Sequence, residues 1–352
     1  MASKSGRGEG EARAALAMTA PAILLLLTFL VIPICLAFWL AFTNARLVSP
    51  AAPQWTGEQN FERLLGIRVL DQQAVPDPQT GEPVFPSVRE FTRQGSGYPQ
   101  YESKSVLLTL NDGDRRSVVL TGDPAFWKSL RNTLAFALVV VPVQGGLGLA
   151  LALLVNRPVR GVNLFRTIYF MPVVTSLVVV SILWRFLYQS DGLVNSMLGV
   201  LTFGSWDAVR WLDEPGTALG AIMLMSVWQG VGFHMVIWLA GLQTIPGYLY
   251  EAAAIDGASA SQRFRHVTLP GLRPTLIFVV VTITLAALGL FVQVDVMTQG
   301  GPLDATTTVV FHAVRKGFRE QEIGYAAAIS LVFFFLVLAI AQIQRRLIRD
   351  RS

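Results

Sequence analysis

Apolar residues in this chain come in long uninterrupted runs, not in the alternating or four-residue patterns of soluble strands and helices. Residues 21–42, 130–155, 164–188, 218–242, 275–297 and 325–344 are each predominantly apolar and at least 20 residues long. About 20 such residues in a helix cross ~30 Å of hydrocarbon. The pattern predicts an all-α integral membrane protein with six transmembrane helices. Its parts are a polar tail over 1–17, a first span within 18–42, a long segment over 43–128 and a membrane core over 129–352. A signal peptide is the rival reading of the first run, but its apolar core would be only about 7–15 residues. Proline predicts kinks at Pro33, Pro142 and Pro172. The run Gly145-Gly146-Leu147-Gly148 predicts close helix packing in lipid.

The polar segments differ from one another. Residues 55–65 (WTGEQNFERLL) read as a short amphipathic helix with Phe61, Leu64 and Leu65 on one face. Residues 66–122 are rich in Pro, Gly and Gln and read as an insertion. Within it, strand-like runs at 105–110 and 117–120 flank Asn111-Asp112-Gly113-Asp114, a β-hairpin signal. A lone hairpin is marginal, so the insertion is a small lobe resting on other subunits or a tolerated surface loop. Residues 189–215 form a second loop, holding Asp191, Asp207, Asp213 and Glu214. Residues 299–302 open a third, and residues 306–318 read as a short helix.

Composition agrees with a membrane class. The 352 residues are 53% hydrophobic and 14% charged, against about 25% charged in soluble domains. Arginine and lysine gather at span ends: 3 in the N-terminal tail, 3 over 156–166, 3 over 245–273 and 4 in the C-terminal tail. With six spans, all four groups fall on one side, and that side is cytoplasmic. Both termini and the loop 248–270 are then cytoplasmic, while 43–128 is outside. A net charge of +5, with basic residues clustered at span ends, suits membrane orientation better than a nucleic-acid stripe.

The chemistry of an enzyme is missing. The single cysteine, Cys35, excludes an intrachain disulfide, and His234, His266 and His312 are far apart in sequence, so no metal site is expected. No lysine follows a glycine, so there is no phosphate-binding loop; any ATP and Mg would be bound by a partner chain, and this one carries no cofactor. A stand-alone channel or secondary carrier would need a mid-membrane charge, a selectivity ring or an inverted repeat. A neutral, hydroxyl-rich cargo fits better. Candidate pathway residues are Thr175 and Ser176 in the third span, and Trp228, Gln229, Gly230, Phe233 and His234 in the fourth. Phe291, Gln293 and Asp295 in the fifth complete the set. Ser and Thr in spans also bond their own helix, His234 also suits a bond between helices, and Asp295 also suits a pair with Arg185 or another subunit.

The loop between the fourth and fifth runs is the most distinctive stretch: YEAAAIDGASASQRFRHVTLP, residues 250–270. Glu251, Ala252 and Ala253 favour helix, and Gly257, between Asp256 and Ala258, can break it. Phe264, Val267 and Leu269 give a second short amphipathic stretch that Pro270 ends. Two short helices meeting at a bend, with small side chains on the first, read as a docking knob. These residues and their spacing resemble the EAA loop of binding-protein-dependent ABC importer permeases. Phe165-Arg166-Thr167, Trp228-Gln229-Gly230, Gly300-Gly301-Pro302 and Gly324-Tyr325-Ala326-Ala327-Ala328 resemble the carbohydrate-type members, the larger membrane subunit of maltose, trehalose and glycerol-3-phosphate systems. The resemblance covers about residues 14–65 and 121–352. It implies a bacterial inner-membrane permease subunit paired with a second permease chain, two copies of an ATPase subunit inside and a solute-binding protein outside. It also implies that Glu251, Ala252, Ala253, Asp256, Gly257, Ala258, Phe264, Leu269 and Pro270 seat the coupling loop in the ATPase.

Overall fold

A computed structural model describes residues 5–76, 83–113, 115–156 and 161–349. The expectations that rest on Lys4, Asp114, Arg157, Arg160 and Arg351 lie outside the described residues. The chain divides into two compact units, residues 1–122 with 313–332, and residues 123–312 with 333–352.

In the first unit, helices α1 (Ser5–Leu26) and α2 (Ile32–Leu40) are joined by a π turn at Leu27–Val31. The wide turn sits just ahead of Pro33, whose ring would otherwise clash with the preceding turn. The tail read as merely polar is helical from Ser5 onward, and the stretch Ala15–Leu40 is long and apolar enough to span a membrane. After α2 the chain turns. Phe42 stacks on Trp55 with ring centroids 5.2 Å apart, and the Asn60 amide donates to the Ala41 and Thr43 carbonyls at 2.8 and 2.9 Å.

Helix α3 (Gln59–Leu65) follows, then β1 (Ile67–Gln73), the short pair β2 (Val75–Pro76) and β3 (Pro83–Val84), α4 (Val88–Thr92), β4 (Ser105–Asp112) and β5 (Arg115–Thr121). Leu64 of α3 is buried, but Leu65 is exposed, because α3 ends there and the chain leaves for β1. β4 and β5 pair antiparallel, Asn111 opposite Arg116, and β1 adds a third strand on the other side of β5 in the order β1-β5-β4. The sequence reading has no strand at β1, whose pattern IRVLDQQ loses its apolar alternation after Leu70. With it, the sheet gains a core: Leu70, Val118 and Leu120 pack against Val88, Phe91 and Tyr101.

The second unit is helical. α5 (Pro124–Val155) begins at a built N-cap, where the Asp123 carboxylate accepts from the Phe126 amide at 3.0 Å. α6 (Val162–Val174) and α7 (Leu177–Leu187) replace the single third span. They meet at 98°, at Thr175–Ser176, three residues beyond the proline expected to kink a continuous helix. The reason is Pro172 itself: it leaves an unpartnered carbonyl one turn back, and the helix ends a few residues later with Thr175 in extended backbone.

Then come α8 (Leu193–Leu201), α9 (Ala218–Gln243), α10 (Gly247–Ile255), α11 (Ala260–Arg263), a π turn at Phe264–Thr268, α12 (Leu269–Gly271), α13 (Arg273–Leu288), α14 (Val292–Met297), α15 (Val309–Val314), whose last two residues fall in the first unit, and α16 (Ile323–Arg349), which begins in the first unit and belongs to the second from Phe333. The fifth span is also interrupted, at Gly289–Phe291. Among the described residues, five helices are long and apolar enough to cross a membrane, and six spans result if α6 and α7 count as one.

Inside this unit α5 packs against α9 and α13 through Phe136, Val140, Met225, Met235 and Ile283, all essentially buried. The loop 298–308 is tied to the start of α5. The Asn132 amide donates to the Asp304 and Thr307 carbonyls at 3.1 and 3.0 Å, the Thr133 hydroxyl accepts from the Val309 amide at 3.0 Å, and the buried His312 ring nitrogen lies 2.8 Å from the Asp123 carboxylate.

Candidate functional site

A cavity of about 230 Å³ lies among α5, α6, α9, α13 and α14. Its apolar wall comes from Phe136, Val140 and Phe233, with Ile283 and Leu290 of the fifth span. Its polar groups are Gln144, Ser226, Gln229, His234, Thr282 and Gln293. No Asp, Glu, Lys or Arg is among the lining residues. Helical spacing explains the α9 face: Ser226, Gln229, Gly230, Phe233 and His234 recur at three and four residues and so share one side.

The polar groups are not equally free. Gln144 and His234 are both buried, with the amide nitrogen 2.8 Å from the imidazole Nδ1. The same Nδ1 lies 3.0 Å from the Gly230 carbonyl. One tautomer accepts from Gln144 and the other donates to Gly230. Thr282 bonds its own helix, donating to the Phe278 carbonyl at 2.9 Å. Ser226 differs: it is 8% exposed, and its hydroxyl has no hydrogen-bond partner. A buried hydroxyl without a partner costs about 1–3 kcal/mol, and Ser226 is the cavity hydroxyl that no protein atom satisfies.

The structure brings together five of the ten pathway candidates: Gln229, Gly230, Phe233, His234 and Gln293. It leaves the other five off the cavity wall. Thr175 and Ser176 are exposed at the break, where the Thr175 hydroxyl donates back to the Met171 carbonyl at 3.3 Å. Trp228 turns to the next face of α9 and meets Trp184 edge-on at 5.5 Å. Phe291 sits in the interruption of the fifth span, 6.3 Å from Phe311, and Asp295 is half-buried in the first turn of α14. Sequence reasoning missed Gln144, Ser226 and Thr282. A glutamine inside an apolar run was the available signal at Gln144, because polar groups at membrane depth face a cavity or a neighbouring helix.

The 248–270 loop is specified by its own residues. α10 ends in a Schellman turn: Gly257, with φ +75°, donates to the Ala254 carbonyl at 3.1 Å, and Ala258 to the Ala253 carbonyl at 2.9 Å. Two residues later Ser259 opens α11 with a capping box, its hydroxyl accepting from the Gln262 amide while the Gln262 side chain accepts from the Ser259 amide. The Tyr250 and Thr268 hydroxyls, 3.1 Å apart, tie the two arms together. Pro270 does not end the second arm. It lies inside a helical stretch that runs from Ala260 through the π turn to Gly271, and α13 begins three residues on. Glu251, Ala252, Asp256 and Gly257 are exposed, Ala253, Ala258 and Phe264 are half-buried, and Leu269 is exposed. Ile255 projects with 87% of its surface free.

Residues 144–352 match the family described as the binding-protein-dependent transport system inner membrane component. This chain belongs to that family. The matched region holds all of the cavity except Phe136 and Val140, and the whole α10–α12 loop. Among its relatives, the permease is 36% identical over 257 residues to the lactose transport system permease protein LacF of Rhizobium radiobacter, covering 72% of this chain and 85% of that one. It is 35% identical over 316 residues to the sulfoquinovosyl glycerol transport system permease protein SmoG of Agrobacterium fabrum, covering 88% and 99%. A solved bacterial ABC transporter involved in import of the acidic polysaccharide alginate shares the permease fold, with a TM-score of 0.66, 21% identity and 98% of both chains covered. The chain is therefore an integral membrane permease subunit of an ABC importer, and its role is transport.

Proposed function

We propose that this permease passes a neutral, polyhydroxylated solute, a sugar, through the cavity bounded by Gln144, Ser226, Gln229, His234 and Gln293. One observation carries the reading: the cavity offers amide, imidazole and hydroxyl groups, one hydroxyl unsatisfied, against an aromatic wall and without a charged residue. Sugars are recognised by such groups, and an anionic cargo would want a cation there. The name of the lactose relative supports a neutral, polyhydroxylated cargo.

The chain works beside a second permease subunit. A solute-binding protein delivers the sugar on the outer face. A pair of ATPase subunits, which bind the ATP and magnesium, grips the α10–α12 loop on the cytoplasmic face, where both termini also lie. Exposed Glu251, Ala252 and Ile255 make the contact, and Gly257 holds the angle between the arms. When the ATPase pair closes on ATP, the loop moves as one piece because its arms are tied by Tyr250 and Thr268.

The test is purification of the tagged chain from its native membrane in mild detergent, followed by reconstitution. The expected result is co-purification of an ATPase and a second multi-span chain, with sugar uptake that needs ATP and the binding protein. A chain that purifies alone and moves solute without ATP overturns the reading.

A further inference from the structure

Helix α8 has two unlike sides. At about 100° per residue, Leu193, Met197, Val200 and Leu201 fall within an arc of roughly 100°. All four are exposed, Val200 at 77%, and Phe203 just beyond the helix is 99% exposed. The opposite side carries Asn195, which is buried and fully used. Its amide donates to the Gln189, Ser190 and Val209 carbonyls, and its oxygen accepts from the Val209 amide and both the Trp206 and Trp211 indoles, all at 2.9–3.2 Å. Asn195 therefore pins α8 to residues 189–190, directly after the last turn of α7. Tyr188 in turn donates to the Ala221 carbonyl in the first turn of α9, at 2.9 Å. The helix is thus held at the level where two membrane-spanning helices end.

We propose that α8 lies in the surface of the bilayer, its Leu193–Met197–Val200–Leu201 side and Phe203 sunk among the lipid acyl chains. Two further observations select lipid over a protein partner. Residues 192–206, between Asp191 and Asp207, contain no Asp, Glu, Lys or Arg, so the stretch enters lipid without burying a charge. The segment also ends in Trp206, with Trp211 close behind, and indoles settle at the headgroup boundary. The helix would act as a float. It fixes the height of the 189–217 loop, and through Asn195 the end of α7, while the spans move. This rests on the chain being a membrane protein and not on the identity of its cargo.

The experiment uses the full chain with Cys35→Ser, which removes the sole cysteine. Spin labels are placed on single cysteines at Met197, Val200 and Phe203, and at Asp207 as the aqueous reference. The chain is reconstituted in vesicles of phosphatidylethanolamine and phosphatidylglycerol. Labels at 197, 200 and 203 should collide more with oxygen than with a water-soluble nickel chelate, the reverse of 207. Nickel access at 197 and 200 equal to that at 207 would place the side in water and overturn the proposal. Exclusion of both agents would mean a protein covers it, and would overturn it equally. If the label at 197 prevents insertion, 200 and 203 read the same side.

Discussion

Gly232 sits where α9 crosses α6, and the crossing leaves no room for a methyl group. A Cβ built there lies 1.9 Å from the Tyr169 carbonyl oxygen, 2.7 Å from its carbon and 3.1 Å from the Phe170 Cα. All three are backbone atoms, so no side chain can swing aside. To bring the first contact to 3.0 Å, α6 must retreat by at least about 1.1 Å. Overpacking of this kind costs about 1–3 kcal/mol. Alanine also returns about 0.5–1 kcal/mol as a better helix former. Gly220 provides the matched control, since it lies in the same helix and its Cβ meets nothing within 4 Å. Gly232→Ala should thus be less stable than Gly220→Ala by about 1–3 kcal/mol, the propensity gain being common to both. For a unit of this size that is at least about 2 °C in Tm, readable by thermal unfolding in detergent with tryptophan emission. A Gly232→Ala protein as stable as Gly220→Ala would refute the claim that α6 and α9 are in backbone contact.

Other outcomes follow from single residues. Ser226→Ala removes the unpartnered buried hydroxyl and should raise stability by about 1–3 kcal/mol, yet weaken sugar uptake several-fold; unchanged uptake would remove Ser226 from the pathway. Gly257→Pro cannot adopt φ +75°, so it should insert normally and keep sugar uptake from following ATP hydrolysis; normal transport would sink the coupling role. Asn195→Leu strands six hydrogen bonds and should lower stability by about 2–4 kcal/mol, with red-shifted emission from Trp206 and Trp211. Asp123→Ala removes the α5 cap and the buried contact to His312, and should lower stability by about 1–3 kcal/mol, checked by unfolding in denaturant.

The spans were legible because a bilayer demands long apolar runs, and no tertiary detail competes with that demand. The α10–α12 loop was legible for a different reason. Gly257 after a helix-favouring stretch is a local code, complete within a dozen residues, whereas the Ser259–Gln262 box that opens α11 is equally local and went unread. What sequence could not supply was sidedness around a helix. Gly230 and Trp228 are two residues apart on α9, yet one borders the cavity and the other packs on Trp184, and only the packing of α5 and α13 decides which. The break at Thr175 was half visible. Pro172 announced a disturbance, but proline does not say whether a helix will bend slightly or stop. Strand β1 was hidden because its partner β5 lies about 50 residues away in sequence, and its own pattern carries little signal.

The break between α6 and α7 bears on the membrane itself. At 1.5 Å per residue the two helices measure about 20 and 16 Å, and a 98° turn leaves them only about 24 Å from end to end. The hydrocarbon layer is ~30 Å thick. A crossing this short is met by local thinning of the bilayer, by snorkelling of flanking residues or by association with another helix. Interrupted backbone at such depth persists only where protein or trapped water covers it. Val173, two residues before the break, lines the cavity. The permease therefore carries a short, interrupted crossing directly beside its cavity.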